Sequence, residues 1–134
     1  MGLTPEQMVE ELRRNNDALN RGEFDVAIEL AARDIVLVRP GGLPEIRGIE
    51  AVRGWMEPDA FESQQIELLG SETSGSRVLT RQRMRARGAG SGIEMEGASW
   101  AVWIFDEDGR VTRMETYLEH DEEAARRSFR GTRD

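Results

Sequence analysis

The chain has no cysteine, one histidine, four prolines and only 6% aromatic residues. Without cysteine there is no disulfide framework, no thiolate nucleophile and no Cys-based zinc site, and a lone histidine without a spaced partner does not make a metal site. No metal or other cofactor is therefore expected. No apolar run approaches the roughly 18 residues that a spanning helix needs. No basic, apolar leader opens the sequence, so export is not expected and a cytoplasmic location is. Positive charge is in deficit: 18 basic residues against 26 acidic ones give a net charge of -8. That sign repels nucleic acid and anionic membranes at long range and excludes both as partners.

What is present suits one domain over residues 1–134, since 134 residues with 38% hydrophobic content can bury a core but not two. The clearest local signal is a β-hairpin: Ser99-Trp-Ala-Val-Trp-Ile-Phe105, the acidic turn Asp106-Glu107-Asp108-Gly109, then Arg110 onward to His120. With the turn at Asp106 to Gly109, Phe105 pairs with Arg110. Alternation then puts Ala101, Trp103, Phe105, Thr112, Met114, Thr116 and Leu118 on one apolar face. The other face carries Trp100, Val102, Ile104, Val111, Arg113, Glu115 and Tyr117, too apolar for water and too charged for a core. It reads as the interface of a homodimer formed through the outer sheet face.

Upstream, Thr4-Pro5-Glu6-Gln7 joins an N-cap, a first-position proline and a capping-box amide. It starts a helix whose inner stripe is Met8, Leu12, Asn15 or Asn16, and Leu19. Arg21-Gly22 breaks it. Residues 23–32 read as a second helix with Phe24, Ile28 and Ala31 inward, and 34–39 as a short strand stopped by Pro40-Gly41-Gly42 and Pro44. A third helix over 48–56 uses Ile49, Val52 and Met56 and ends at Pro58. Strands follow at 65–72, 77–87, 93–103 and beyond, and 110–118, then a closing helix at 121–127 and a frayed end at 131–134. Helices first and a meander second give an α+β fold: three N-terminal helices packed on a curved antiparallel sheet, a pocket between them, and a short C-terminal helix. The small-residue run Arg87-Gly88-Ala89-Gly90-Ser91-Gly92 is a hairpin loop, because no Lys-Ser/Thr and helix follow it as a phosphate loop requires.

Several segments carry a family resemblance: Leu19-Asn20-Arg21-Gly22-Glu23-Phe24-Asp25, Val38-Arg39-Pro40, Ile46-Arg47-Gly48-Ile49-Glu50-Ala51-Val52-Arg53, Trp103 to Val111, and Tyr117-Leu118-Glu119. In order and spacing the chain resembles the NTF2-like cone fold, in the branch of ketosteroid isomerases and SnoaL-type polyketide cyclases. That resemblance implies a pocket for an apolar, oxygenated metabolite such as a polyketide, terpenoid or steroid-like ring, with isomerisation or cyclisation as candidate reactions. The same scaffold also hosts non-catalytic ligand-binding or dimeric scaffold proteins. An isomerase of this branch would carry a tyrosine on the first helix, an aspartate base before the first strand's proline and a protonated aspartate entering the last hairpin. Those roles fall on Asn15, Arg39 and Ala101. None of the three can perform them, so steroid delta-isomerisation is not expected.

A different polar set takes their place. Arg39 either clamps an anionic or strongly polar ligand oxygen with help from Asn15, or pairs outside the cone with Glu45 or Glu50. Alternation brings His120 to the pocket rim beside Glu119, a pairing suited to proton transfer, and the resemblance to SnoaL-type cyclases implies such an acid with histidine assistance. The alternative is that alternation has ended there, with Asp121 capping the last helix. Trp55, Met84, Trp103, Phe105, Met114, Thr116 and Leu118 are core or pocket lining, and Gln82 points into the pocket. Arg77, Arg81, Arg83, Arg85 and Arg87 alternate with smaller residues on one strand. They lie on the outer face, neutralised across strands by Glu67, Glu94, Glu96 and Glu115 rather than by nucleic acid.

Overall fold

The computed structural model describes residues 2–57 and 61–131. Helix α1 runs over Pro5–Asn20, with the expected capping box: Thr4 Oγ1 accepts from the Gln7 amide and Gln7 Oε1 accepts from the Thr4 amide. Then come α2 (Phe24–Ala27), a single 3-10 turn (Ile28–Leu30), β1 (Ala31–Val38), β2 (Ile46–Arg47) and α3 (Ile49–Met56). The meander is β3 (Phe61–Ser74), β4 (Arg77–Gly88), β5 (Glu94–Phe105) and β6 (Val111–Leu118), followed by a 3-10 turn (Glu119–Asp121) and α4 (Glu122–Phe129). One curved sheet has the order β2-β1-β6-β5-β4-β3. This is the α+β cone that the sequence predicts. The Pro58 helix stop, and the chain end after Gly131, lie outside the described residues.

Four local expectations need correction. The second helix does not reach Ala32. Ala31 already pairs with Val111, and buried Ile35 and Leu37 alternate with outward residues, so sheet pairing overrides the helical propensity of the Ala-Ala run. The sheet is not wholly antiparallel, because β1 runs parallel to β6. The two-residue β2, where Leu37 meets Ile46, was not expected. Finally, Phe105 pairs with Val111 and not Arg110, and an irregularity between Ile104 and Phe105 absorbs Thr112. The turn itself forms as expected. Asp106 Oδ1 accepts from the amides of Asp108 and Arg110, and Gly109 takes φ 79°, open to glycine at little cost.

That one extra residue turns Val111 to the inner face, where it is buried with Met8, Leu12, Leu37, Val52, Val78 and Phe105. The outer face holds a second cluster, Leu79, Trp100 and Val102, which α4 covers with Ala125 and Phe129. Part of the face read as a subunit interface is thus covered within the chain, while Ile104, Arg113, Glu115 and Tyr117 stay half-buried. Val111 has left the outer face, and Trp100 and Val102 lie beneath the last helix. Beyond α4 the outer face is ionic. Arg83 reaches Glu67 at 3.7 Å and Glu96 at 3.4 Å, Arg85 reaches Glu96 at 3.6 Å, and Arg87 reaches Glu94 at 2.8 Å.

Candidate functional site

Between α1, α3 and the inner sheet face lies a cavity of about 380 Å³. Helix α1 contributes Leu12, Asn15, Asn16 and Leu19, and α3 contributes Val52, Trp55 and Met56. On the sheet side, alternation brings in Gln64, Ile66 and Leu68 from β3, Gln82 and Met84 from β4, Ser99 and Trp103 from β5, and Met114, Thr116 and Leu118 from β6. Trp55 and Leu118 are partly open to solvent, at 43% and 42% exposure, so the cavity communicates with water beside apolar side chains.

Its polar groups are amides and hydroxyls. Asn15 Nδ2 donates to the Ala27 carbonyl at 2.6 Å and Asn16 Nδ2 to the Ile66 carbonyl at 2.7 Å, tying α1 to its neighbours. Thr116 Oγ1 donates to the Val38 carbonyl at 2.9 Å. Trp103 Nε1 donates to Thr80 Oγ1 at 2.9 Å, and Thr80 Oγ1 donates to Gln82 Oε1 at 3.2 Å. Among the described residues, no aspartate, glutamate, histidine or arginine lines the cavity. Tyr117 borders it, but its hydroxyl donates to Glu115 Oε1 at 2.8 Å. Burial, and then the Glu115 carboxylate, push the Tyr117 phenol up to about 12.

Of the residues singled out in the sequence, the cavity gathers Asn15, Trp55, Gln82, Met84, Trp103, Met114, Thr116 and Leu118. Ala101 pairs with Thr80 and Thr116 in mid-sheet, fully buried, and Phe105 is packed in the inner core. Neither reaches the cavity. Arg39 is also outside its lining: Nε and Nη2 both donate to the Pro44 carbonyl, at 3.0 and 2.9 Å, closing the Pro-Gly-Gly bend on itself. Glu45 instead faces Arg47 at 2.5 Å and Arg113 at 3.8 Å. His120 stands on the 3-10 turn after β6, with its side chain 77% exposed and Nε2 at 3.7 Å from Asp121. Glu119 points outward to Arg81 at 3.4 Å, while its carbonyl accepts from Trp100 Nε1 at 3.1 Å. Strand alternation stops at Leu118, and so does inward placement. Asp121 occupies the N-cap position of α4 without a side-chain cap bond.

Lining residues missed in the sequence include the polar Gln64 and Ser99. Gln64 shares the parity of Ile66 and Leu68, a signal lost when the strand is started at Gln65. Ser99 sits directly across from Gln82, a pairing that follows once the hairpin register is known. Asn15 and Asn16, left as alternatives, both line the cavity.

A family model described as a SnoaL-like domain matches residues 12–114. Among solved structures, a putative SnoaL-like polyketide cyclase from Jannaschia sp. CCS1 is similar at 17% identity and TM-score 0.75, covering 98% of each chain. The epoxide hydrolase/cyclase-like enzyme SalBIII, of pyran ring formation in polyether salinomycin, aligns at 15% identity and TM-score 0.77 over 84% of this chain and 90% of its own. A Mycobacterium tuberculosis protein in complex with estradiol-17beta-hemisuccinate aligns at 16% identity and TM-score 0.74 over 85% of this chain and 95% of its own. At these identities the likeness is one of fold. No curated protein matches the chain.

Proposed function

Because this chain belongs to the SnoaL-like domain family, whose fold leaves a cavity between helices and sheet, we propose that it binds an uncharged, largely apolar metabolite carrying one or a few oxygens. The observation that supports this reading best is the make-up of the lining: apolar side chains interspersed with amides and hydroxyls and, among the described residues, no carboxylate, imidazole or guanidinium. An ionised ligand group entering such a cavity would lose hydration without gaining a counter-charge, which is costly. A neutral carbonyl or hydroxyl needs only the amides and hydroxyls already there. Proton-transfer chemistry needs a group that titrates within reach of the ligand, so the reading is a binding protein before it is an acid–base enzyme. Steroid delta-isomerisation stays outside it, since Arg39 and Ala101 do not line the cavity.

Two probes of similar shape decide the matter, 2-acetylnaphthalene and the 2-naphthoate anion, titrated at neutral pH while the fluorescence of the cavity tryptophans is followed. The ketone is expected to bind saturably and the anion at least about tenfold more weakly, the equivalent of about 1.4 kcal/mol. Equal or tighter binding of naphthoate overturns the reading, as does absence of binding by either probe.

A further inference from the structure

The cavity is not uniformly polar, and proton accounting fixes the sense of one of its amides. The Trp103 indole nitrogen can only donate, and it donates to Thr80 Oγ1 at 2.9 Å. Thr80 is 1% exposed, so its hydroxyl proton has no solvent to turn to. Its remaining partner is the carboxamide of Gln82, at 3.2 Å. With the amide reversed, Thr80 would accept from both Trp103 and Gln82 Nε2, and its own buried proton would be left without an acceptor, at a cost of about 1–3 kcal/mol. Only the arrangement in which Thr80 donates to Gln82 Oε1 pairs both the indole N–H and the buried hydroxyl proton. Gln82 Nε2 has no hydrogen-bond partner among the described residues, and Gln82 lines the cavity. Directly across the β4–β5 ladder stands Ser99, a second lining residue able to donate.

We infer that Trp103 and Thr80 act as positioning residues that hold Gln82 with its NH2 toward the cavity, making this patch of the sheet wall a hydrogen-bond donor site for an acceptor oxygen, a ketone or comparable carbonyl, on the bound metabolite. The inference rests on the binding role proposed above and deepens it, because it states which kind of oxygen is recognised and by which wall. A hydroxyl could also accept from this amide, but its proton would need a separate acceptor, whereas a carbonyl offers two lone pairs and no proton. Discrimination of this kind is stronger than that from apolar fit, since a ligand lacking the oxygen leaves the amide unpaired.

The experiment compares 2-acetylnaphthalene with 2-ethylnaphthalene, alike in shape but without the oxygen, in wild type, Gln82→Met, Thr80→Val and Thr80→Ser. It reads both affinity and the infrared carbonyl stretch of the bound ketone. In wild type the ketone should bind about fivefold to tenfold more tightly than the hydrocarbon, with its carbonyl stretch lowered relative to alkane solution. Gln82→Met should abolish both the preference and the shift, with hydrocarbon affinity equal to or above that of wild type because no unpaired amide then faces it. Thr80→Val, which frees the amide to rotate, should weaken both, and Thr80→Ser, which keeps the hydroxyl, should restore them. An unshifted carbonyl in wild type, a ketone preference that survives Gln82→Met, or a preference for 2-naphthol over the ketone would each overturn the inference while leaving the cavity's binding role intact. Failure of both probes to bind wild type would overturn that role and the inference together.

Discussion

The two faces of the β4–β6 hairpins are built from the same strands and have opposite chemistry. Inward, the residues that meet the cavity are an amide, hydroxyls, methionines, the Trp103 indole and aliphatic side chains such as Val111 and Leu118. Outward, one residue along each strand, stand the arginine–glutamate ladder and a half-buried ionic knot. In that knot Glu115 Oε2 faces Arg113 Nε at 2.7 Å, and Oε1 accepts from Tyr117 and from Ser128 of α4. Strand alternation therefore sorts charge from neutral polarity as well as apolar from polar. The ions attach the last helix and neutralise one another, and the face left for a ligand carries dipoles only. A cavity read as catalytic from its fold alone would be assigned the charges of the wrong face.

The sharpest break of this division is at its apolar centre. Trp100 is buried beneath α4, and its indole donates to the Glu119 carbonyl and lies 5.7 Å from Arg81 and 5.5 Å from Arg126. Trp100→Ala should lower the free energy of unfolding by about 3–5 kcal/mol, measured by urea denaturation, without changing the ketone-over-hydrocarbon preference of the folded protein. A loss under about 1 kcal/mol would mean that α4 does not seal this part of the outer face.

Next in size is the knot itself. Burial drives the Glu115 carboxyl upward, but bonds from Arg113, Ser128 and Tyr117 outweigh it and hold the group below its ordinary value of 4.5. The folded state therefore binds this proton less readily than the unfolded chain does. Its stabilisation is present above about pH 4.5 and is lost as pH falls through the lower, folded-state value. Tyr117 works the other way. With its phenol raised from 10.0 to about 12, its contribution is intact below about pH 10 and fades as pH rises through about 12. Glu115→Gln should cost about 1–3 kcal/mol by removing the charged acceptor of Arg113, Tyr117 and Ser128, with only Glu45 at 3.8 Å left to balance Arg113. It should also move the phenolate absorbance midpoint of the chain's single tyrosine down from about 12 but not to 10.0, because burial remains. A midpoint unchanged by the substitution would show that Glu115 does not govern the phenol.

Much of this was legible in the sequence, for definite reasons. The capping box at Thr4 and Gln7 and the Asp106–Gly109 turn are decided by local hydrogen bonds. The outer placement of the β4 arginines, with Glu67, Glu94 and Glu96 as partners, follows from alternation across neighbouring strands. What escaped was set at longer range. The extra residue at Thr112 is a property of the strand pairing, and it alone moved Val111 from one face to the other. Ala31 joined a strand because β6 was there to pair with it. Ala101 and Phe105 have the inner parity expected of them, but parity cannot tell which inner positions are filled by packing and which are left open. The pocket placement of His120 carries alternation two residues past the end of β6, and that of Glu119 rests on the family resemblance.

Arg39 gives the smallest expected effect and the most direct check on the neutral cavity. A guanidinium at a strand end beside an oxygen-binding pocket suggests an anion clamp, yet both of its bonding nitrogens are spent on the Pro44 carbonyl at the bend. Replacing it removes a local brace on an exposed loop, so Arg39→Leu should change stability by no more than about 0.5 kcal/mol. If the ligand meets only dipoles, the affinities of 2-acetylnaphthalene and of 2-naphthoate should both stay within about twofold of wild type, since no charge at the cavity has been removed. Calorimetric titration of the two probes into both proteins measures this directly. A selective loss of naphthoate binding in Arg39→Leu would show that the bend opens and the guanidinium swings to the ligand. The inner face would then carry one charge after all.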